Sequence, residues 1–362
     1  MDRFLDSFRI LQSYHSIFMI LLLPSKLILS FLYIFSDVSL GRILGHGSFG
    51  IVYEVDRISL SSSTGISSDS KNLKDKNTGY DSKYYLCDSG TRYAIKQVLQ
   101  DNLWNDALLN ASTSHLALEA KYLKALDHPN IIKMHAEANT SPLDDEYSIV
   151  LDRLYGTLDD QLKKWKQKKN SLWRRATMST NLRVQRLKHC CSLASAMKYL
   201  HGKSIIHRDL KPQNIGFDVR GDLKIFDFGS ARDLAGSKKN DDETYNLTGL
   251  TGSLRYMAPE VIKSKPYSLS ADVFSFAIIF WQIMSLKKPF EKFDVKLHNE
   301  HVVQRGYRPK CCKTWLKQWT NLMRESWSPH LKMRPTFDEI HQNLREETFK
   351  LSSHEKVFNH PF

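Results

Sequence analysis

The alternation of apolar and polar positions divides the chain into a strand-rich part and a helical part. From Asp37 the stretch "DVSLGRILGHGSFGIVYEV" predicts two strands around a glycine turn, and "RYAIKQVL" and "YSIVLDRL" predict two more. Between them, leucines recur near helical spacing in "ASTSHLALEAKYLKAL", which predicts one helix. The pattern therefore predicts a small β-sheet lobe with one helix over about residues 36–154.

Beyond Gly156 the periodicity becomes mostly helical. Residues 182–201 predict an amphipathic helix, and "SADVFSFAIIFWQIM" is apolar almost all round. That run contains Asp272 and lies between two prolines, so we interpret it as a buried core helix rather than a membrane span. The sequence thus predicts a larger helical lobe over about residues 155–351, followed by a short tail over residues 352–362.

Two segments of unusual composition interrupt this pattern. Residues 59–92 are rich in Ser, Asp, Lys and Gly, which predicts a flexible insertion in the strand-rich lobe. Residues 163–181 form a basic insertion between two predicted helices. Because Trp165 and Trp173 belong to it, we weigh a docking face against the simpler interpretation, which is a mobile solvated loop.

The net charge of +13 is concentrated around this basic insertion. Residues 161–188 contain ten Lys or Arg and no Asp or Glu, whereas the rest of the chain is nearly balanced. Such a run favours an acidic partner or an anionic membrane surface, bound through residues 163–188. The balance elsewhere argues against nucleic-acid binding.

The first 35 residues form a hydrophobic segment outside this pattern. Residues 17–35 approach the ~20 apolar residues that span a bilayer, although Pro24 and Lys26 interrupt them. We weigh a signal anchor, which would attach a cytoplasmic domain to a membrane, against a hydrophobic hairpin docked on the domain and a non-physiological extension of the reading frame. The five cysteines, an odd number with two adjacent pairs, indicate free thiols in a reducing compartment.

A glycine-rich turn joins the first two predicted strands. In "LGHGSFGIV" the glycines follow G-x-G-x-x-G, and glycine lets a backbone approach phosphate groups closely. A dinucleotide site requires a helix directly after the glycines, but a strand follows here. An ordinary glycine hairpin is the other interpretation. The candidate nucleotide-binding residues of this turn are Leu44, Gly45, Gly47, Ser48, Phe49, Gly50 and Val52.

Three further motifs carry charged side chains. Lys96 lies inside the apolar strand "YAIK", where an ammonium group is costly unless it meets an anion, and Glu119 on the following helix is a candidate partner. Taken alone, either residue is more often a solvated surface charge. In "HRDLKPQN", Asp209 can accept a proton from an attacking hydroxyl and Lys211 can neutralise charge on a transferred group. Asn214, and Asp227 in "KIFDFGSA", offer hard oxygen ligands to Mg²⁺; these two are the candidate metal ligands.

These motifs, in this order, resemble those of the eukaryotic protein kinase family. The chain has G-x-G-x-x-G-x-V, the A-I-K lysine, H-R-D-L-K-x-x-N, D-F-G and A-P-E, and the resemblance covers about residues 37–351. It implies the bilobal α+β protein-kinase fold, with a small N-terminal β-sheet lobe that holds one helix and a larger helical C-terminal lobe. "DLKPQN" resembles serine/threonine kinases, and the sequences around Asp272 and Arg334 resemble the tyrosine-kinase-like branch of that group.

The resemblance also implies a role for each candidate residue, with ATP and Mg²⁺ as cofactors. Lys96 pairs with the α- and β-phosphates and with Glu119, Asp209 is the catalytic base, and Asn214 and Asp227 hold Mg²⁺. The implied adenine-site residues are Val52, Ala94 and, in the hinge at residues 151–154, Asp152 and Leu154.

Further positions either support this frame or depart from it. Asp272 resembles the acid that braces the catalytic loop, and Arg334 resembles the partner of Glu260. Ser253 stands where the family usually has Thr, and its hydroxyl can make the same contacts. Gly216 stands where a Leu or Met usually forms the floor of the adenine site, which predicts a roomier nucleotide site.

The constellation predicts an active protein serine/threonine kinase in intracellular signalling. The alternative is a pseudokinase, which is a scaffold or allosteric module with the same fold and usually lacks one of four residues. All four are present here: Lys96, Asp209, Asn214 and Asp227.

Regulation is expected between the D-F-G and A-P-E motifs. Thr248 and Thr251 lie in that segment, as does Ser253, and Arg208 beside the base is a cation suited to a phosphate. We expect phosphorylation of Thr248 or Thr251 to order the segment and raise activity. A constitutively ordered segment is the alternative.

Overall fold

The structure, a computed structural model, describes most of the chain outside the N-terminus and the Ser-rich insertion. The described residues are 31–33, 38–47, 50–58, 92–98, 106–138, 140–142, 144, 146–170 and 177–358. They fall into two compact units: the first holds the described residues up to Ala120 and Lys133–Arg153, and the second holds Lys121–Ile132 and the described residues from Leu154 onward.

The first unit is built on a six-stranded sheet with the order β1-β5-β6-β4-β3-β2. Its elements are β1 (Phe31–Tyr33), β2 (Val38–His46), β3 (Ile51–Ile58), β4 (Tyr93–Gln97), most of α1 (Asp106–Ala125), β5 (Met134–Ala138) and β6 (Ser148–Asp152). Neighbouring strands are antiparallel, except that β1 pairs in parallel with β5. The core lies where Val55, Ile95 and Val150 are buried against each other. The predicted strand-rich part with one helix is confirmed.

Strand β1 comes from the apolar N-terminal segment. Its residues lie opposite 136–138 of β5, so the end of that segment extends the sheet. Residues 1–30, which hold most of the candidate signal anchor, lie outside the described residues, as do residues 59–91 of the predicted insertion. No helix in the part of the chain that the structure describes is long and apolar enough to cross a membrane.

The second unit is mainly helical. Its elements are α2 (Leu158–Asn170), α3 (Thr177–Gly202), β7 (Ile205–Ile206), β8 (Ile215–Phe217), β9 (Leu223–Ile225), β10 (Arg232–Asp233), α4 (Pro259–Ile262), α5 (Ser270–Ser285), α6 (Val295–His298), a π-helix (Asn299–Gln304), α7 (Lys317–Ser326) and α8 (Phe337–Phe358). Helix α3 packs along α8 and against α5. Residues 271–284 of α5 are all buried, which confirms the predicted core helix.

The basic run forms helix rather than loop over its described part. Residues 163–170 continue α2, and α3 begins at Thr177, earlier than the predicted residue 182; residues 171–176, with Trp173, lie outside the described residues. Trp165 is fully buried together with Leu158 and Leu162, since helical spacing places all three on one face of α2. The expectation that Trp165 forms part of a docking face is therefore wrong.

One cation of the basic run is also buried. Arg186 donates through Nη1 to the carbonyls of Ile283 at 3.1 Å and Met284 at 3.3 Å, in the last turn of α5. Burial lowers the pKa of Arg186 to about 10, so the group is still charged at neutral pH. Its positive charge satisfies carbonyls that the helix end leaves unpaired, and it is not offered to a partner.

Candidate active site

The glycine turn between β2 and β3 is the first part of the candidate site. The N–H of Gly47 donates to the carbonyl of Gly50 at 2.9 Å. A β-carbon on Gly50 would lie 2.6 Å from the carbonyl oxygen of Gln97, so only glycine permits this approach of β3 to β4. Among the other predicted residues of the turn, Leu44, Gly45 and Val52 are half-buried, whereas Ser48 and Phe49 lie outside the described residues.

The predicted lysine–glutamate pair is present in the first unit. Lys96 Nζ on β4 donates to Glu119 Oε2 on α1 at 2.5 Å. The Glu119 side chain is only 1% exposed and that of Lys96 14%, so removal of either charge would strand the other away from water. Ala94 is buried two residues earlier on β4, on the same face of the sheet as Lys96.

The predicted hinge begins at the end of β6. The N–H of Asp152 donates to the carbonyl of Lys133 at 2.9 Å, and its carboxylate accepts from the N–H of Lys133 at 3.1 Å. The same carboxylate lies 2.7 Å from His135 Nε2. The side chain of Asp152 therefore ties β6 to β5. Leu154, the other predicted hinge residue, belongs to the second unit.

A buried carboxylate in α5 fixes the candidate catalytic loop, residues 207–214, of the second unit. Asp272 accepts from the backbone N–H groups of His207 at 2.8 Å and Arg208 at 2.9 Å, and from His201 Nε2 at 3.0 Å. Burial, the largest single influence, would raise the pKa of the Asp272 carboxyl, but the hydrogen bonds and charges of His201 and His207 together outweigh it and hold the pKa below its usual value. The bracing role predicted for Asp272 matches these contacts.

Asp209 is the hub of this loop. Its Oδ2 accepts from Lys211 Nζ at 2.7 Å and from Asn214 Nδ2 at 3.1 Å, and its Oδ1 accepts from the Ser253 hydroxyl at 3.0 Å. A carboxylate held by a cation, an amide and a hydroxyl has a fixed orientation, as a general base requires. The hydroxyl of Ser253, which stands where the family usually has Thr, thus donates a hydrogen bond to Asp209, as a Thr hydroxyl could.

The two candidate metal ligands lie at the ends of two paired strands: Asn214 directly precedes β8, and Asp227 follows β9. The N–H of Phe226 donates to the carbonyl of Asn214 at 3.0 Å. Asp227 is therefore the next residue after one that contacts Asn214 directly. Asn214 uses its amide nitrogen to donate to Asp209, and its Oδ1 accepts no hydrogen bond from any residue that the structure describes. Asp227 has a φ of 67°, a strained backbone conformation that concentrates at functional sites.

The candidate regulatory residues are also brought together. Arg208 Nη1 donates to Thr248 Oγ1 at 2.8 Å, and its Nε donates to the carbonyl of Ser230 at 2.7 Å. The hydroxyl of Thr251 lies 3.2 Å from the carbonyl of Thr248, to which it donates. Thr248 is exposed, so it is the threonine that a modifying enzyme can reach beside a cation.

Two residues of this cluster were not predicted from the sequence. The Tyr267 hydroxyl donates to the carbonyl of Thr248 at 2.9 Å and accepts from Arg208 Nη1 at 3.3 Å, and burial raises its pKa. Arg232 is a second cation in this region, and burial, followed by the charge of Arg208, lowers its pKa. The position of Arg232 shortly after the D-F-G motif could have identified it as part of this cluster. Nothing in the local sequence around Tyr267 identifies it in the same way.

The absence of a side chain at Gly216 does not leave the empty space that we predicted beneath the adenine site. A β-carbon on Gly216 would lie 2.6 Å from Leu154 Cδ1 and 3.3 Å from Leu154 Cβ. The Leu154 side chain therefore occupies the space that a larger residue at 216 would fill. The expectation of a roomier floor is wrong at this contact.

A second ion pair, predicted from the A-P-E motif, lies deep in the second unit. Arg334 Nη1 and Nη2 donate to the two carboxylate oxygens of Glu260 at 2.6 Å and 3.0 Å. Arg334 also donates to the carbonyls of Ser328 and Ser270. The predicted pairing of Arg334 with Glu260 is confirmed.

Comparisons with known proteins agree with this geometry. The serine/threonine-protein kinase STY17 of Arabidopsis thaliana is 38% identical over 160 residues, which cover 44% of this chain and 27% of that protein. The Arabidopsis serine/threonine-protein kinase VIK is 31% identical over 279 residues, 74% of this chain and 58% of VIK. The tyrosine-protein kinase Fer of Rattus norvegicus is 29% identical over 310 residues, 85% of this chain and 31% of Fer. The chain thus spans less than two thirds of each of these relatives.

The family comparison covers most of the chain. The model of a family described as protein tyrosine and serine/threonine kinase matches residues 38–344. That span holds the glycine turn, the Lys96–Glu119 pair, the loop around Asp209 and the Glu260–Arg334 pair. The chain therefore belongs to the protein tyrosine and serine/threonine kinase family.

Proposed function

We propose that this chain is an ATP-dependent protein kinase that phosphorylates serine or threonine hydroxyls. The observation that carries the proposal is the environment of Asp209, which is oriented by Lys211, Asn214 and Ser253. A pseudokinase scaffold would need none of these contacts. The type of catalytic loop, with Lys211 after Asp209, supports serine or threonine as the acceptor, as do the relatives named serine/threonine kinases.

In the proposed reaction Asp209 acts as general base. It accepts the proton of the substrate hydroxyl as that oxygen forms a bond to the γ-phosphorus of ATP. The bond from the γ-phosphorus to the β–γ bridging oxygen breaks, and ADP leaves with the electron pair. Lys211 Nζ, which lies 2.7 Å from Asp209 Oδ2, offsets negative charge on the transferred group.

Lys96 is proposed to bind the α- and β-phosphates of ATP, held in place by Glu119. The glycine turn offers backbone N–H groups to the phosphates, and Val52, Ala94 and Leu154 offer apolar contacts to adenine, with Asp152 at the hinge. Asn214 and Asp227 fit Mg²⁺, because both present hard oxygen atoms and Asn214 Oδ1 has no other described partner. When bound, the ion neutralises phosphate charge.

The test of the proposal is phosphate transfer from ATP to a generic Ser/Thr peptide by the purified full chain. Asp209→Asn should lower turnover by ~10²–10⁴-fold, since it removes the base, and Lys96→Met should also lower it severely. Asp222→Asn, an exposed carboxylate of the β8–β9 turn, is the matched control. Equal labelling by the wild type and Asp209→Asn would contradict the proposal, and phosphate found only on tyrosine would reassign the acceptor.

We propose that phosphorylation of Thr248 raises activity. A phosphate there would replace a neutral hydrogen bond to Arg208 by a charge-assisted one, and Arg232 adds a second cation. Thr251 is the weaker candidate, because its hydroxyl already bonds backbone carbonyls, and a phosphate on Ser253 would lie against Asp209 and inhibit. Mass spectrometry and phosphatase treatment test this: an active enzyme with no phosphate on Thr248 would support a constitutively ordered segment.

The exposed face of α2 is proposed to bind an acidic partner. Lys164, Lys166 and Lys168 are exposed on α2, whereas Trp165 between them is buried. Replacing these three lysines by Glu should weaken salt-sensitive binding to an acidic polypeptide such as polyglutamate. Loss of binding to anionic vesicles instead would point to a membrane surface as the partner.

The domain is proposed to act in the cytoplasm, where its cysteines stay reduced; all four described cysteines are free. Membrane association through residues 17–35 is the weaker proposal. Strand β1 takes residues 31–33 into the sheet, and the apolar residues 17–30 before it fall short of the ~20 that span a bilayer. Fractionation of the full chain and of residues 36–362 tests it.

A further inference from the structure

A fully buried tyrosine, Tyr267, lies between the candidate regulatory segment and Arg208 of the candidate catalytic loop. Its hydroxyl donates to the carbonyl of Thr248 at 2.9 Å and accepts from Arg208 Nη1 at 3.3 Å. The residue is 0% exposed, so water does not reach the hydroxyl to replace either bond. Burial raises the pKa of Tyr267, and the hydroxyl therefore keeps at neutral pH the proton that it donates.

The backbone of Tyr267 holds the segment as well. Its carbonyl accepts from the N–H of Tyr245 at 2.9 Å, and its own N–H donates to the carbonyl of Tyr245 at 3.1 Å. Tyr245 and Thr248 are three residues apart, so one tyrosine holds this part of the segment at two points. Gly249 packs close by, since a β-carbon there would lie 2.7 Å from the Cα of Ser264. The segment therefore packs on residues 264–267 through contacts that involve no phosphate.

Tyr267 and Asp272 come from one stretch of the chain and hold Arg208 at two places. Asp272 Oδ1 accepts from the backbone N–H of Arg208 at 2.9 Å, whereas Tyr267 accepts from its guanidinium group. Asp272 belongs to the buried helix α5, which begins three residues after Tyr267. Arg208 directly precedes Asp209, so contacts that fix Arg208 also restrict the backbone that carries the proposed base.

We propose that Tyr267 is a positioning residue for the proposed base, because its hydroxyl joins the segment at Thr248 to Arg208 before any phosphate is present. A phosphate on Thr248 would bind Arg208 through a charge-assisted hydrogen bond, which is roughly twice as strong as a neutral one. The Tyr267 hydroxyl is then dispensable. It therefore supports the activity of the unphosphorylated chain in particular. The effect on catalysis rests on the proposed kinase function, whereas the effect on the segment does not.

Hydrogen exchange tests the effect on the segment with no nucleotide present. Tyr267→Phe removes one buried oxygen atom and leaves the carbonyl of Thr248 without this donor. In the phosphatase-treated full chain, this variant should exchange the amides of residues 245–253 about fivefold faster than the wild type, the factor that corresponds to one ordinary hydrogen bond. Phosphothreonine at position 248, installed by genetic-code expansion, should restore the wild-type rate. Tyr199→Phe on α3 is the matched control, because its hydroxyl also bonds a backbone group, the N–H of Asp127 at 3.0 Å.

Steady-state kinetics test the effect on catalysis. In the phosphatase-treated chain, Tyr267→Phe should lower kcat on a generic Ser/Thr peptide about five- to tenfold and leave the KM for ATP unchanged, because it loosens the base and not the nucleotide. With phosphothreonine at position 248, the same substitution should lower kcat less than about twofold. Mass spectrometry checks the state of Thr248 during each assay, and urea unfolding measures any general loss of stability.

Three outcomes would overturn the inference. These are amide exchange or kcat that Tyr267→Phe leaves unchanged, an equal fall of kcat with and without the phosphate, which would indicate a purely structural loss, and a higher KM for ATP as the sole kinetic effect. If the kinase proposal alone fails, no form of the chain transfers phosphate, yet exchange still rises in Tyr267→Phe and phosphothreonine still restores it. The two failures are therefore distinguishable.

Discussion

Gly216→Leu is expected to destabilise this protein, although the family usually has a large residue at that position. Leu154 already fills the space: a β-carbon at 216 would lie 2.6 Å from Leu154 Cδ1 and 3.3 Å from both Cβ and Cγ. Ile215 and Phe217 on either side are buried, so β8 has no room to shift toward solvent. Gly216→Ala is the milder change, because the flexible end of Leu154 can move away from a methyl group.

The expected magnitudes follow from packing. Overpacking by Gly216→Leu should cost about 1–3 kcal/mol of the free energy of unfolding. Leu154 is half-buried, so Leu154→Ala should cost about 1–2 kcal/mol, below the range for a fully buried leucine. In the double variant the Leu side chain introduced at position 216 fills the space that the Leu154 side chain no longer occupies. The double variant should therefore cost no more than Leu154→Ala alone, which corresponds to a coupling energy of about 1–3 kcal/mol.

Urea unfolding of the wild type, the two single variants and the double variant measures this coupling, with intrinsic tryptophan fluorescence as the signal. If the single costs add in the double variant to within about 0.5 kcal/mol, the two side chains do not share a space and the reasoning is refuted. A shift of affinity for bulky adenine-site inhibitors that appears with Gly216→Leu and disappears in the double variant would tie the same contact to the nucleotide site.

Three further predictions concern buried groups of the second unit. Arg334→Ala should cost about 3–5 kcal/mol of stability in urea, since it strands the buried Glu260, whereas replacing both partners by apolar residues should cost much less. Trp165→Ala should cost about 3–5 kcal/mol despite its basic surroundings, and Lys166→Ala should be neutral within experimental error. Burial lowers the pKa of His298 to about 4 from 6.5 when unfolded. The unfolded chain then binds the extra proton between these pH values, so stability should fall on acidification, by at most about 1.4 kcal/mol per pH unit, and His298→Phe should flatten that slope.

The fold was largely predictable because its strongest signals are local. Residues 270–285 are apolar on almost every side, and a helix without a continuous polar face is buried in a soluble domain, so the burial of α5 follows from the pattern alone. The site was predictable in a different way. A lysine with the local sequence of Lys96, taken alone, is more often a solvated surface charge. The order of the family motifs, rather than any local property, predicted that it would meet Glu119.

What could not be predicted depends on contacts between residues far apart in the chain. Composition over residues 161–188 shows only a basic run, yet the helix turns Trp165 inward and Arg186 caps a helix that ends about a hundred residues later. Likewise, Gly216 looked like a missing side chain because the residue that fills its place comes from the hinge. In each case the residue that decides the environment lies far away in the sequence, so the local pattern could not reveal the contact.

The same kind of contact joins the candidate regulatory segment to the base. Thr248 bonds Arg208, Ser253 bonds Asp209, and Gly252, at a φ of +101°, lies so close that a β-carbon there would collide with the carbonyl of Arg208. Three residues of the segment therefore contact Arg208 and Asp209, which are adjacent in the catalytic loop. Asp272 in addition accepts a hydrogen bond from the backbone N–H of Arg208. If the segment moves away, the Asp209 carboxylate loses its bond to Ser253 and keeps those to Lys211 and Asn214, so its orientation is less firmly fixed. Loss of the Thr248–Arg208 contact should accordingly lower kcat, through the orientation of the base, more than it changes the KM for ATP.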